Sequence, residues 1–341
     1  MNPYIQDILA QPQALATTLQ QLPQAAGELR GLAAQLVSRR FSRIVLTGMG
    51  SSLAALYPLW FNLVRAGYAP ILIETSELLY DAANLITADT LLIIVSQSGR
   101  SAEILRLIEQ QQGATMLAIT NSADNPLAQA AAVALVTAAG AESNVSCKTY
   151  VTALAALAMV GDTLAPNPTE PMQWEQLWPV VDSMTAYLDR WEQYATTLAD
   201  LLAGGSLIIC GRGSSLAAVY YSALILKEAA KVHAEGLSAP QFRHGPMELA
   251  STAIRVLVYE GDAGTAALNR RLVEDITGAG GRAYLVGQTS PHEGLRLPPG
   301  PAVAWPILEI LPMQLISVGL AWRNHLEPGQ FHVGSKVTTV E

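Results

Sequence analysis

Cysteine is nearly absent: the 341 residues hold two, Cys147 and Cys210. Two cysteines give neither a disulfide framework nor zinc spacing, and the expectation they set is a pair of buried thiols in a reducing, cytoplasmic compartment. Charge is scarce as well, 14% of residues against 50% apolar. That composition excludes a disordered chain and supplies a large core. Basic residues fall short of acidic ones, for a net charge of −8, which argues against nucleic acid or an anionic membrane surface as partners. A local pocket for a small anion remains open. The start, MNPYIQDILAQPQ, lacks a basic stretch followed by an apolar one, so it does not read as a signal peptide. The most hydrophobic window, residues 302–322, carries Glu309, Gln314, Pro306 and Pro312, and reads as a core or subunit-interface helix rather than a membrane span. No metal-ligand spacing is present, and neither a metal nor another cofactor is expected.

What is present, twice, is a glycine- and serine-rich turn. TGMGSSLAALY at 47–57 returns as CGRGSSLAAVY at 210–220, identical at eight of eleven positions. A period of 163 residues is far above that of a solenoid and reads as a duplicated domain. The chain length suits two domains of about 150 residues. Short apolar runs at 43–48, 69–75, 89–96, 115–120 and 133–137 alternate with helical patterns, and 206–210, 255–261 and 282–287 do so again. Continuous apolar strands between helices predict parallel sheets covered on both faces: an α/β fold of two tandem, doubly wound, flavodoxin-like α-β-α sandwiches. The expected layout is a helical segment 1–35, a first domain 36–165, a helical linker 166–203, a second domain 204–329 and a tail 330–341. The proline-rich stretch 165–171 marks the boundary.

A strand, a tight glycine turn and a helix N-terminus together make an anion site, because free N–H groups and the helix dipole converge there. In the first copy Gly50 shapes the turn and Ser51 and Ser52 add hydroxyls. A second turn in the same domain, SQSGRSAE at 96–103, adds Ser96, Gln97, Ser98 and Ser101. Two hydroxyl-rich turns at the carboxyl ends of strands suit a phosphate on a small molecule. Two other readings compete. GMGSSL has the first two glycines of a dinucleotide fingerprint, with Glu74 spaced for a ribose, but Leu53 stands at the third; alternatively, the serines merely cap helices. In the second copy the counterpart of SQSGRS is YEGDAGT at 259–265, where Glu260 and Asp262 would repel phosphate. One phosphate site, in the first domain, is therefore expected.

The second domain holds LKEAAKVHAEGLSAPQFRHGPMELA, 226–250. Glu228 lies on a helix, and a glycine-, serine- and proline-rich loop leads to His244. A carboxylate and an imidazole are the usual pair for moving protons on a sugar, although each alone also reads as a solvated helix face or a capping or core histidine. The serine turns, LKEAAKVHAE, FRHGP and the tail GSKVTTVE together resemble the sugar isomerase (SIS) domain family. The resemblance is to the isomerase half of glucosamine-6-phosphate synthase and to related amino-sugar-6-phosphate deaminases and fructosamine-6-phosphate deglycases. It runs through essentially the whole chain.

The resemblance implies roles. Ser52, Ser96, Gln97, Ser98 and Ser101 match phosphate-binding residues. Glu228 matches the base that moves a proton between C1 and C2, His244 the residue that opens the sugar ring from the neighbouring subunit, and Lys336 the lysine that forms a Schiff base. Segment 142–150, including Val145 and Ser146, resembles a ligand-lining loop. A homodimer with a shared active site and a 6-phosphosugar substrate are implied. Departures are also present. The chain starts at Met1 without a glutaminase segment, which sets the expectation that it does not draw ammonia from glutamine. Ile225 stands where the synthase has a lysine, Tyr221 where it has an acid, and His332 lies four residues before Lys336. The expectation is an isomerase-type enzyme on an amino-sugar or fructosamine 6-phosphate, coupling aldose–ketose isomerisation to deamination or deglycation. The alternative is a phosphosugar-binding sensor without turnover; the absence of a helix-turn-helix or basic DNA-reading stretch argues against it.

Overall fold

The computed structural model of the chain describes residues 1–166, 172–251 and 253–340. It opens with α1 (Pro3–Leu9), α2 (Gln11–Gln21) and α3 (Ala26–Val37). Asn2 caps α1 by accepting the Ile5 N–H at 3.1 Å, and Pro3 suits the first helical position because its missing N–H forfeits no bond there.

The first sheet follows: β1 (Arg43–Gly48), α4 (Ser51–Ala55), α5 (Tyr57–Arg65), β2 (Ile71–Glu74), α6 (Thr75–Tyr80), β3 (Thr90–Val95), α7 (Ala102–Glu109), β4 (Thr115–Thr120), α8 (Pro126–Ala130), β5 (Val133–Val136) and α9 (Lys148–Leu164). The strand order is β2-β1-β3-β4-β5, every pair parallel. All six residues of β3 are buried, as a central strand covered on both faces requires. One face packs Val45, Leu92 and Ile94 against Ile104, Leu107 and Leu127, each such side chain contributing about 1.5–3 kcal/mol of burial. From β1 the chain leaves to one side for β2 and returns on the other side for β3. This reversal opens a crevice at the carboxyl ends of β1 and β3, where both hydroxyl-rich turns emerge.

Of the stretch 165–171 read as a boundary, residues 167–171 lie outside the described residues. After it come α10 (Trp178–Leu188) and α11 (Trp191–Leu202). The second sheet uses β6 (Ser206–Gly211), α12 (Leu216–Ala230), β7 (Ala234–Ser238), α13 (Ala239–Arg243), β8 (Ile254–Tyr259), α14 (Ala266–Gly278) and β9 (Arg282–Val286), then α15 (Trp305–Leu308) and α16 (Ile310–Arg323). Its order is β7-β6-β8-β9, again parallel throughout. The segment AEGLS, read as loop from its glycine and serine, is an edge strand. Gly236 lets it lie close to α12, because a Cβ there would meet the Val219 carbonyl oxygen at 3.0 Å. The apolar window at 302–322 forms buried helices, 89% enclosed by protein. Gln314 is satisfied inside by Gln11 and Tyr221.

The chain forms two compact units. The first-sheet unit comprises Gln13–Glu142, Cys147–Trp178 and Val333–Glu341; the second-sheet unit comprises Met1–Pro12, Ser143–Ser146 and Pro179–His332. Both cysteines are buried, and burial pushes the Cys210 thiol up to about 12, which leaves it unreactive.

Candidate active site

In the first-sheet unit, Gly48 ends β1 where a Cβ would crowd the Val95 carbonyl oxygen at 3.0 Å. Gly50 turns the chain with φ +52° and serves as the N-cap of α4 with no side chain to offer. Ser51 and Ser52 form the first turn of α4, both partly exposed. Beside them, Ser96 Oγ accepts the Gly99 N–H and Ser98 Oγ accepts the Arg100 N–H, each at 3.2 Å. Because oxygen is the acceptor in both, each hydroxyl hydrogen remains to be donated. Ser101 is the N-cap of α7 yet makes no side-chain cap bond. Capping does not account for the hydroxyls at 51, 52 and 101.

Gly99 is required on two counts. Its φ is +61°, and a Cβ would lie 2.0 Å from Asn125 Oδ1. Asn125 cannot yield, since it donates to the Thr120 hydroxyl at 3.0 Å and to the Ser122 carbonyl at 2.6 Å and accepts the Ala128 N–H at 2.9 Å.

The tail reaches the same turn. The Ala102 N–H, the first of α7, donates to the Thr338 carbonyl at 3.1 Å. Two residues earlier, Lys336 Nζ lies 2.6 Å from Glu142 Oε2; the lysine side chain is 20% exposed and the carboxylate 0%. Glu142 also accepts the N–H groups of Cys147 and Thr149 and the Thr149 hydroxyl, so one carboxylate both caps α9 and holds the lysine. Sequence reasoning missed this residue as a partner of Lys336. The available signal was a lone acid just before the helix at 148. The first-sheet unit thus brings together Gly50, Ser51, Ser52, Ser96, Gln97, Ser98, Ser101 and Lys336.

Glu228, His244, Val145 and Ser146 belong to the second-sheet unit. Glu228 is half-buried, three residues before the left-handed Lys231 that ends α12. Lys231 donates to the Gln330 carbonyl at 2.8 Å, and burial holds its ammonium below the usual lysine range. Ile225 is fully buried. Tyr221 donates to the Ser146 carbonyl at 2.6 Å, and Val145 is fully buried. His244 is exposed at the end of α13, where Gly245 turns the chain with φ +126°. Arg243 beside it is anchored to Asp275 at 2.8 Å, and that bond holds the Asp275 carboxyl below its usual range.

The second glycine turn is chemically unlike the first. Ser215, at the position of Ser52, is buried and donates to Glu309 Oε1 at 2.6 Å. Glu260 accepts from Thr289 and pairs with Arg270 at 2.5 Å. Burial pushes its carboxyl up, but these bonds outweigh burial and hold it below the usual range. Among the described residues there is no group of three or more His, Cys, Asp or Glu side chains placed for a metal ion.

Residues 36–161 match the SIS domain. Glutamine–fructose-6-phosphate aminotransferase (isomerizing) of Pyrococcus horikoshii is 30% identical over 316 residues, covering 89% of this chain and 52% of that protein. The chain spans about half the length of the curated relatives it matches. Among solved structures, tagatose-6-phosphate ketose/aldose isomerase from Escherichia coli superposes with a TM-score of 0.82 at 19% identity, covering 97% of this chain and 96% of that one. The C-terminal domain of glucosamine-fructose-6-phosphate aminotransferase from Francisella tularensis does so with 0.81 at 21%, covering 96% and 98%. These two likenesses are of fold. With the domain match running through both hydroxyl-rich turns and a relative aligned along 89% of this chain, the chain is one that carries an SIS domain, at residues 36–161.

Proposed function

We propose that the protein is a phosphosugar isomerase-type enzyme acting on a 6-phosphosugar, an amino-sugar or fructosamine 6-phosphate, and coupling aldose–ketose isomerisation to deamination or deglycation. The observation that carries this reading is the meeting of six polar residues from two turns with the lysine-bearing tail at one sheet edge, through the Ala102–Thr338 hydrogen bond. A phosphate bound by Ser51, Ser52, Ser96, Gln97, Ser98 and Ser101 would anchor the sugar, with Gly50 allowing close approach. Ser146 would line its path, with the buried Val145 behind it.

In this reading His244, contributed by the second subunit of a homodimer, moves a proton from the anomeric hydroxyl to the ring oxygen and so opens the ring. Glu228 takes the proton from C2 of the aldose and returns it to C1, through an enediol or, where nitrogen is attached, an enolamine. Lys336 attacks the C2 carbonyl of a ketose, and loss of water leaves an imine. Glu142, already hydrogen-bonded to the amine, accepts the proton that Lys336 must shed before attack. The proposed layout is two tandem SIS domains, 36–165 and 204–329, preceded by the segment 1–35, joined by 166–203 and followed by the tail 330–341, in a cytoplasmic dimer.

The test is turnover by mass spectrometry on glucosamine 6-phosphate, on fructose 6-phosphate with ammonia, and on a fructosyl-amino-acid 6-phosphate. Release of ammonia from the first or of amino acid from the third is the expected result and names the branch. Binding of all three without conversion overturns the enzyme reading in favour of the sensor.

A further inference from the structure

The second sheet also has a cavity at its carboxyl edge. It measures about 390 Å³ and lies beyond β8 and β9, with Glu260 and Asp262 on the first turn, Thr289 on the second, Arg270 on α14, and Trp305 and Glu309 at α15. It sits past the carboxyl ends of β8 and β9, the end of an open parallel sheet at which ligands bind.

Glu309 is the informative group. It is 1% exposed, lines the cavity, and accepts the Ser215 hydroxyl through Oε1 at 2.6 Å. Its Oε2 has no hydrogen-bond partner among the described residues. A buried carboxyl oxygen without a partner is costly unless something outside the fold supplies one. The cavity's charges define that something. Three carboxyl groups face a single guanidinium, and Arg270 is already paired with Glu260, so an anion is disfavoured. The described residues offer no metal-binding cluster. Trp305 presents a partly exposed indole, a surface that attracts organic cations, and the Gln288 amide offers a donor and an acceptor to hydroxyls.

We propose that this cavity is a second ligand site, separate from the hydroxyl-rich turns of the first sheet, for a small primary ammonium compound on a hydroxylated skeleton, held by Glu309, Asp262 and Trp305. The groups facing Glu309 are Ser215 from the turn before α12, Tyr259 at the end of β8 and Asp262 beyond it, with Glu260 and Arg270 on the same cavity wall. Burial, reinforced by Asp262, pushes the Glu309 carboxyl up to about 8, so near neutrality it holds its proton. An incoming ammonium replaces that proton: the carboxyl O–H ionises, the carboxylate pairs with the ammonium, and one proton passes to solvent.

The probes are 1-amino-1-deoxyglucitol and its hydroxyl counterpart glucitol, titrated by calorimetry near neutral pH in two buffers of unlike ionisation enthalpy. The expected result is binding of the amine with release of up to one proton, and binding of glucitol weaker by about tenfold or more. Glu309→Gln loses at least about tenfold in amine affinity and abolishes proton release, Asp262→Asn loses less, and Ser98→Ala changes neither. If Glu309→Gln fails to fold, Asp262→Asn and the proton count on the unaltered chain carry the test. The proposal is overturned by equal binding of the two probes, by no amine binding up to about 10 mM, by binding without proton release, or by loss of binding in Ser98→Ala, which would put the amine at the first sheet.

Discussion

The two copies of the glycine turn share eight of eleven residues and differ in what their last serine touches. Ser52 is partly exposed at the mouth of a crevice ringed by hydroxyls, whereas Ser215 is buried and bound to the carboxyl of Glu309. Both glycines turn the chain with positive φ, Gly50 at +52° and Gly213 at +55°. The identical motif is therefore an instruction for a turn. The charge around it, hydroxyls in one copy and carboxyls in the other, decides which ligand the turn can serve.

Removing the proposed chemistry tests that division most severely. Glu228→Gln is expected to lower turnover by about 10²–10⁴-fold while sugar-phosphate binding persists. Mixing this variant with His244→Ala should restore part of the activity if each site draws on two subunits. No recovery in verified mixed dimers would confine each site to one chain. The next largest effect is on stability. Because the Glu309 carboxyl is raised from 4.5 to about 8, its contribution to stability is fully present below about pH 4.5 and is lost as pH rises through about 8. Denaturant melts across that window should show wild-type stability falling relative to Glu309→Gln by several kcal/mol; parallel pH profiles would count against a protonated Glu309.

Gly99→Ala forces a side chain into left-handed backbone and against Asn125, and should cost about 1–3 kcal/mol together with phosphate affinity, measurable by melting and by KM. The finest comparison is between matched serines. Ser52→Ala should raise KM by about tenfold with stability nearly unchanged. Ser215→Ala should lower stability by about 1–3 kcal/mol and leave KM alone, because it removes the hydroxyl that Glu309 uses. Equal behaviour of the two would erase the distinction between the copies.

Much of this architecture was legible in the residues. Runs such as TLLIIV announce central parallel strands because both faces must be apolar, and Gly99 and Gly50 announce left-handed turns that other residues resist. The strand at 234–238 was not legible, since Gly236 and Ser238 depress the local signal and pairing with β6 decides the outcome. Glu142 was visible as an acid before a helix, but its grip on Lys336 spans 194 residues of chain, a distance that no spacing rule covers. Glu309 stood out as a lone acid in an apolar run. The cavity it faces is assembled from turns at 260–265 and 287–289, which no local pattern joins.

The hydrogen bond from Ala102 to Thr338 gives the tail a proteolytic meaning. A protease that cuts around Thr338 must first wait for the tail to peel from α7 and for Lys336 to part from Glu142. The rate of cleavage there becomes a clock for how often the tail lets go. A ligand that seats between tail and turns should slow that clock, whether or not it is ever converted.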